Sequence, residues 1–268
     1  MYLSACIEWL FSHEYPDIDE RIRAAKRLGF SHVEFHLWRE KPLPAIAAAL
    51  EETGVKLSSF VVEPRRSLVD PAQHDEFLVA LQESLAAAQK LGSPPLVVAS
   101  GFNREGIAFD EQKAQMVTIL RQAATLAEEA GIVLLLEPLN TRIDHPGMFL
   151  HDTRVGLDVV EAVASPHLKL LFDVYHSTVM QEDLSDVLAG RMHLVGHVQI
   201  AQAPGRDEPD AESTDWKATL HTLSTLGYRT AVGLEYKPSL PVVASVAKVC
   251  NATGLSLTMG HKTENHDA

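Results

Sequence analysis

Ile132-Val133-Leu134-Leu135-Leu136-Glu137 is an apolar run that ends on a residue able to bind a metal, and three later segments repeat its form. They are Leu168-Lys169-Leu170-Leu171-Phe172-Asp173, Val195-Gly196-His197-Val198-Gln199 and Ala231-Val232-Gly233-Leu234-Glu235. An ionised carboxylate stranded in hydrocarbon shifts its pKa or is excluded, so each such ending needs a compensating partner. Four at regular intervals read as parallel strands whose carboxyl ends converge on one spot. That is where a parallel α/β barrel keeps its active site.

The surrounding chain repeats one local phrase, in which a helical stretch ends near a Gly and a β-rich run follows. Arg27-Leu28-Gly29 precedes His32-Val33-Glu34-Phe35, Glu129-Ala130-Gly131 precedes the quoted run, and Thr225-Leu226-Gly227 precedes Thr230 to Leu234. Each Gly falls where a helix end needs a left-handed residue. The expected strands lie near 3–8, 31–36, 55–62, 95–99, 132–137, 168–173, 194–200 and 230–235. The expected helices lie near 17–28, 42–53, 73–91, 110–130, 152–164, 181–189, 213–226 and 239–253. Even alternation of this kind favours a closed (β/α)8 barrel over an open doubly wound sheet. No linker breaks the chain, so one domain is expected over 1–258, with a polar, frayed tail at 259–268.

Bulk properties agree. The chain has 268 residues, 46% of them hydrophobic and 22% charged, which is ordinary for a globular enzyme. A net charge of -13 opposes phosphate backbones, so a nucleic-acid partner is disfavoured. No apolar run approaches the roughly 20 residues of a membrane span. The start of the chain, Met1 to Glu8, does not read as a signal peptide. Cys6 and Cys250 make no disulfide framework, and a reducing cytoplasm is the simple expectation. No interface stripe stands out, though barrels of this kind often pair and a homo-oligomer is compatible with the pattern.

Glu137, Asp173, Gln199 and Glu235 end neighbouring strands. Three carboxylates and one amide oxygen are hard ligands that suit Mg2+ or Mn2+, whereas Zn2+ favours more His or Cys. The alternative reading makes each a solvated acid at the barrel mouth. His176 follows Asp173 by three residues. It reads either as an imidazole turned over the site from a loop or as a surface histidine. Arg206, in Ala203-Pro204-Gly205-Arg206-Asp207, suits a substrate carboxylate, or else pairs at the surface with Asp207 or Asp210. Lys237 is a second, less specific cation for an anionic substrate. Glu34 sits mid-strand, either orienting ligands or in a buried salt bridge. Trp9, Phe11, Trp38 and Phe102 follow early strands as candidates for an apolar wall. There is no GxGxxG helix opening, phosphate loop or nucleophile elbow.

With those residues in view, Glu137-Pro138-Leu139-Asn140-Thr141-Arg142 with Pro146-Gly147-Met148-Phe149-Leu150 resembles the hydroxypyruvate isomerase family. So do Phe172-Asp173-Val174-Tyr175-His176, Gly196-His197-Val198-Gln199-Ile200-Ala201, Pro204-Gly205-Arg206-Asp207-Glu208-Pro209-Asp210 and Glu235-Tyr236-Lys237-Pro238. That family belongs to the xylose-isomerase-like barrels, whose members include sugar epimerases and abasic-site endonucleases. The resemblance is strong from about 130 to 240 and general over the first half. It implies a divalent metal on Glu137, Asp173, Gln199 and Glu235. It also implies an acid/base pair of Glu137 and Glu235, with His176 and Arg206 contacting substrate. The sequence departs in two loops: Thr141 to Gly147 is longer, and Val62-Glu63-Pro64-Arg65-Arg66 replaces an Asn-rich loop after the third strand.

The implied activity is isomerisation of a small anionic oxo-acid or sugar, hydroxypyruvate to tartronate semialdehyde being the named candidate, through an enediolate. A ketose 3-epimerase would use the same metal and Glu pair. A non-catalytic sugar-binding barrel and an abasic-site endonuclease are remoter readings.

Overall fold

The computed structural model describes residues 1–257 of the chain, and the tail expected at 259–268 lies outside them. The strands are β1 (Tyr2–Cys6), β2 (His32–Glu34), β3 (Lys56–Leu57), β4 (Phe60–Val61), β5 (Leu96–Ala99), β6 (Leu134–Glu137), β7 (Leu168–Asp173), β8 (Val195–Ile200) and β9 (Ala231–Leu234). Every pairing is parallel, and the sheet order is β3-β2-β1-β9-β8-β7-β6-β5-β4. The two ends of that order, β3 and β4, are halves of one stave parted by Ser58 and Ser59. Backbone bonds seal the seam. Ser58 and Val61 N–H donate to Val33 and His36 carbonyls at 2.7 and 2.9 Å, and Val62 N–H donates to Val97 O at 2.9 Å. The barrel therefore has the eight staves read from the sequence, the third one split.

The helices are α1 (Ile18–Leu28), α2 (Leu43–Thr53), α3 (His74–Lys90), α4 (Phe109–Ala130), α5 (Thr153–Val163), α6 (Val174–Met180), α7 (Leu184–Leu188), α8 (Trp216–Leu226) and α9 (Val242–Thr253). Gly29 takes φ 103° at the end of α1, and the N–H of Phe30 reaches back to Ala25 O at 3.0 Å, which closes the helix and turns the chain into β2. Asp152 and Asp215 cap α5 and α8 by accepting from Val155 and Ala218 N–H. One expectation is corrected here. His176 was read on a loop with the next helix at 181–189, but a helix, α6, begins directly after β7. Its cause is Asp173, whose side chain accepts from Tyr175 N–H at 2.8 Å and so caps the helix that follows.

Alternation along the strands decides what faces inward. Val97, Leu135 and Leu171 form a small apolar cluster, separate from the main core between sheet and helices. Two residues on from each stand Ala99, Glu137 and Asp173, on the same face. The cluster is thus a dry floor, and the polar ends sit one pleat above it. Among the described residues no helix is long and apolar enough to cross a membrane.

Candidate active site

Glu137 and Glu235 line a cavity of about 220 Å3 at the carboxyl ends of the strands, with His36, Arg65, His176 and Arg206 among their companions. Asp173 and Gln199 are buried at 3% and 5% exposure. Ligand atoms of Glu137, Asp173 and His176 all lie within 4.8 Å of one another, and so do those of Cys6, His36 and Glu235. Arg206 links the two groups, its Nη2 standing 2.9 Å from Glu235 Oε2 and 3.7 Å from Asp173 Oδ2.

Gln199 is oriented from behind. Its Nε2 donates to Glu34 Oε1 at 2.8 Å, while His197 Nε2 lies 3.0 Å from Glu34 Oε2. Glu34 therefore serves both roles read for it, as a buried pair with His197 and as a support for the amide. Gly233 on β9 makes room, because a Cβ there would fall on the Glu34 carboxylate. With its amide hydrogens directed to Glu34, Gln199 is left with Oε1 buried and without a hydrogen-bond partner, as is Asp173 Oδ2. Two buried oxygens left bare are costly unless something electropositive meets them. Together with the Glu137 carboxylate, which accepts no hydrogen bond among the described residues, they fit a hard divalent cation.

Electrostatics separate the acids. Burial, reinforced by Glu235 and Asp173, pushes the Glu137 carboxyl well above its ordinary range. Burial lifts Asp173 to about 7 against the pull of Arg206. Glu235 is buried too, but a 2.7 Å bond with His36 Nε2 and the charge of Arg206 hold it down at about 2. His176 is lowered to about 3 by burial and by Arg206, so its ring is neutral. Its tautomer follows from Asn140. That side-chain oxygen accepts from Ile143 and Asp144 N–H, so its Nδ2 donates to His176 Nδ1 at 2.6 Å. The imidazole proton then sits on Nε2, which faces Asp173 Oδ2 at 3.6 Å and Glu137 Oε1 at 3.8 Å.

Arg206 is not a surface arginine paired to Asp207 or Asp210. It is buried at 8% exposure, and its guanidinium lies 5.1 Å from the Trp9 ring centroid and 4.9 Å from that of Tyr175. Tyr175 OH donates to Asp144 Oδ2 at 2.7 Å, which fixes one wall of that slot. Lys237 is not gathered into the cluster. It is exposed, with its ammonium 5.5 Å from the Trp9 ring, and it does not line the cavity. Of the four aromatics expected to form a wall, only Trp9 lines the cavity. Phe11 is buried against Phe30, Trp38 bonds Ser84 Oγ, and Phe102 is 66% exposed.

Sequence reading passed over His36, Arg65, Asn140 and His145. His36 had a signal, since it stands two residues beyond Glu34 and so shares its inward face. Asn140 and His145 arrive through loop geometry that no periodicity encodes.

The model of the xylose isomerase-like TIM barrel family matches residues 22–252. A putative hydroxypyruvate isomerase of Xenopus laevis is 34% identical over 250 residues, covering 89% of this chain and 90% of that protein. The 2-oxo-tetronate isomerase of Cupriavidus necator is 30% identical over 226 residues, covering 82% and 86%. A crystal structure described as an AP endonuclease, family 2, from Brucella melitensis superposes with a TM-score of 0.85 at 29% identity, covering 92% and 96%. The chain therefore belongs to the xylose isomerase-like TIM barrel family, with relatives named as hydroxypyruvate isomerases and a 2-oxo-tetronate isomerase.

Proposed function

We propose that this chain is a metal-dependent isomerase of short hydroxy-oxo-acids, with hydroxypyruvate and tartronate semialdehyde as the first pair to test. The observation that carries the reading is the opposed environment of two glutamates on one small cavity. Glu235 is anchored as a carboxylate by His36 and Arg206, while Glu137 is unpartnered and pushed toward its protonated form. Pairs of carboxyls driven apart in this way divide acid and base roles.

Glu137, Asp173, Gln199 and Glu235 would hold the ion, with Mg2+ or Mn2+ favoured by the oxygen-only set. When bound, it supplies Lewis-acid stabilisation to oxygens of the substrate. Glu137, whose raised basicity suits a proton acceptor once the carboxyl is ionised, would take the carbon-bound proton. Glu235 stands on the same cavity and serves the neighbouring carbon, with His36 holding one of its oxygens. His176 donates its Nε2 proton toward the oxygen on which charge develops. Trp9, Val61, Val97 and Leu139 keep that part of the cavity apolar, which strengthens each of these contacts.

The endonuclease description of the Brucella structure finds less support in these residues. A net charge of -13 opposes a polyanion, and a cavity of about 220 Å3 is sized for a few carbons. A cytoplasmic setting is part of the proposal, resting on two free cysteines, Cys6 buried and Cys250 half-buried.

The test is to strip the protein with chelator, restore Mg2+ or Mn2+, and follow hydroxypyruvate by NMR in deuterated water. Metal-dependent loss of the ketone with a new semialdehyde hydrate supports the isomerase. Deuterium entering a ketose at one carbon, with no aldehyde formed, supports the epimerase instead.

A further inference from the structure

We infer that Arg65 is the residue that recognises the carboxylate of the substrate and selects acids over neutral ketoses at this site. The inference deepens the isomerase reading and rests on it.

The cations named from the sequence are committed elsewhere. Arg206 is stacked between two rings and salt-bridged to Glu235 at 2.9 Å, with Asp144 3.7 Å from its Nη1. Lys237 lies outside the cavity wall. Arg65 lines that wall, and it also lines a second cavity of about 420 Å3 that shares Ala99 and His145 with the first. Arg65 thus stands at the junction of the two. Arg66 and Arg104 line the second cavity as well, but Arg66 is paired with Glu76 and Arg104 with Asp70. Among the described residues, Arg65 has no carboxylate within 4.0 Å and donates no side-chain hydrogen bond. Its positive charge acts on both Glu137 and His145, which line the same cavity.

An unpaired guanidinium on the same cavity as Glu137 and Glu235 is what an anionic substrate needs in order to enter. Glu137, Asp173 and Glu235 bring up to three negative charges, which a dication and Arg206 would only balance, so Arg65 supplies the surplus positive charge that favours a carboxylate. The planar fork suits a carboxylate bidentately, and a neutral ketose gains nothing from it. Arg65 sits in the loop just after β4, in the stretch Val62-Glu63-Pro64-Arg65-Arg66 that sets this sequence apart from the family it resembles.

The experiment compares the Mn2+-loaded wild type with Arg65→Ala and Arg65→Lys. Calorimetry measures binding of D-glycerate, an acid with no carbonyl to react, and steady-state kinetics are run on hydroxypyruvate. Arg65 is exposed on a loop, and circular dichroism verifies that each variant is folded. The expected result is weaker glycerate binding and a higher KM in Arg65→Ala, each on the order of tenfold or more, with kcat little changed and partial recovery in Arg65→Lys. Glycerate that binds equally well to wild type and Arg65→Ala, or fails to bind the wild type, overturns the inference. The two readings separate cleanly. Arg65-dependent glycerate binding without hydroxypyruvate turnover sinks the isomerase reading alone. Turnover that is indifferent to Arg65 sinks the recognition alone.

Discussion

Glu34 takes the amide hydrogen of Gln199 at 2.8 Å, and this single bond decides which end of the amide faces the other site ligands. An amide has a donor end and an acceptor end, and only the acceptor end can meet a cation. On the proposed ligand set, Glu34 would contribute no ligand atom of its own, yet it would fix one.

Glu34→Gln should therefore weaken metal binding while leaving the fold in place. The neutral amide holds Gln199 less firmly and removes a negative charge from behind the site. The expected loss is roughly tenfold in Mn2+ affinity, within the range for groups that orient a ligand. Titration followed by the resonance of free Mn2+ measures it. Unchanged affinity would mean that Gln199 is not a ligand.

Asp173 should destabilise the metal-free protein at neutral pH. Its folded pKa, about 7, lies above its ordinary value. Between those two values the folded state holds more protons than the unfolded state, so stability falls as pH rises through that window. Asp173→Asn removes the penalty. It should raise the stability of the metal-free protein at pH 8 by on the order of 2 kcal/mol and abolish tight metal binding. Thermal melts at pH 5 and pH 8, with and without Mn2+, read both effects. An Asn variant that melts lower at pH 8 would count against the assignment.

Metal uptake should release protons for the same reason. Asp173 and Glu137 are both raised, so an incoming cation displaces protons from them. Affinity should climb as pH rises through about 7. Calorimetry in buffers of different ionisation enthalpy counts the protons released.

Glu137→Gln keeps an oxygen at the site but removes the proton acceptor. The expected effect is a fall in kcat of roughly 10^2- to 10^4-fold, the scale of a lost general base. Solvent deuterium exchange into hydroxypyruvate should fall with it. Exchange that persists at the wild-type rate would transfer the role to Glu235.

Glu208 holds the rim of the barrel together. Its carboxylate accepts from Ser239 N–H and Oγ at 2.8 Å each and from Leu240 N–H at 3.0 Å. These bonds oppose its burial and leave its carboxyl below the ordinary range. Its stabilisation is thus present above the usual Glu value and is lost as pH falls through the lower folded one. Glu208→Gln should cost on the order of 1 to 2 kcal/mol at neutral pH and blunt the acid sensitivity of unfolding. Urea midpoints at pH 7 and pH 4 test the pair of claims.

Much of this architecture is legible in the sequence. The Leu135/Glu137 and Leu171/Asp173 pairs carry both floor and proposed ligand in their alternation, which periodicity alone makes legible. The glycine at the end of α1 marked the turn into β2. Other features come from contacts distant in sequence. His36 and Glu235 are 199 positions apart, and nothing local announces their 2.7 Å bond. The start of α6 was missed because Asp173 was read only as a ligand, although the same side chain also caps a helix. Arg206 was read as a free clamp because a sequence does not show that Trp9 and Tyr175 enclose it.

The split third stave has a broader consequence. The strands that carry Glu137, Asp173 and Gln199 run four to six residues and are laddered to their neighbours along their length. The stave leading to the Arg65 loop is two short pieces of two residues each, β3 and β4. The proposed reactive groups are thus mounted on longer, fully laddered strands, and Arg65 hangs from the shortest. Substitutions in that loop leave the ladders under the acids untouched. A lineage built on this ring can trade one substrate for another by revising a few residues beyond Val61, while the chemistry on the opposite arc is inherited unchanged.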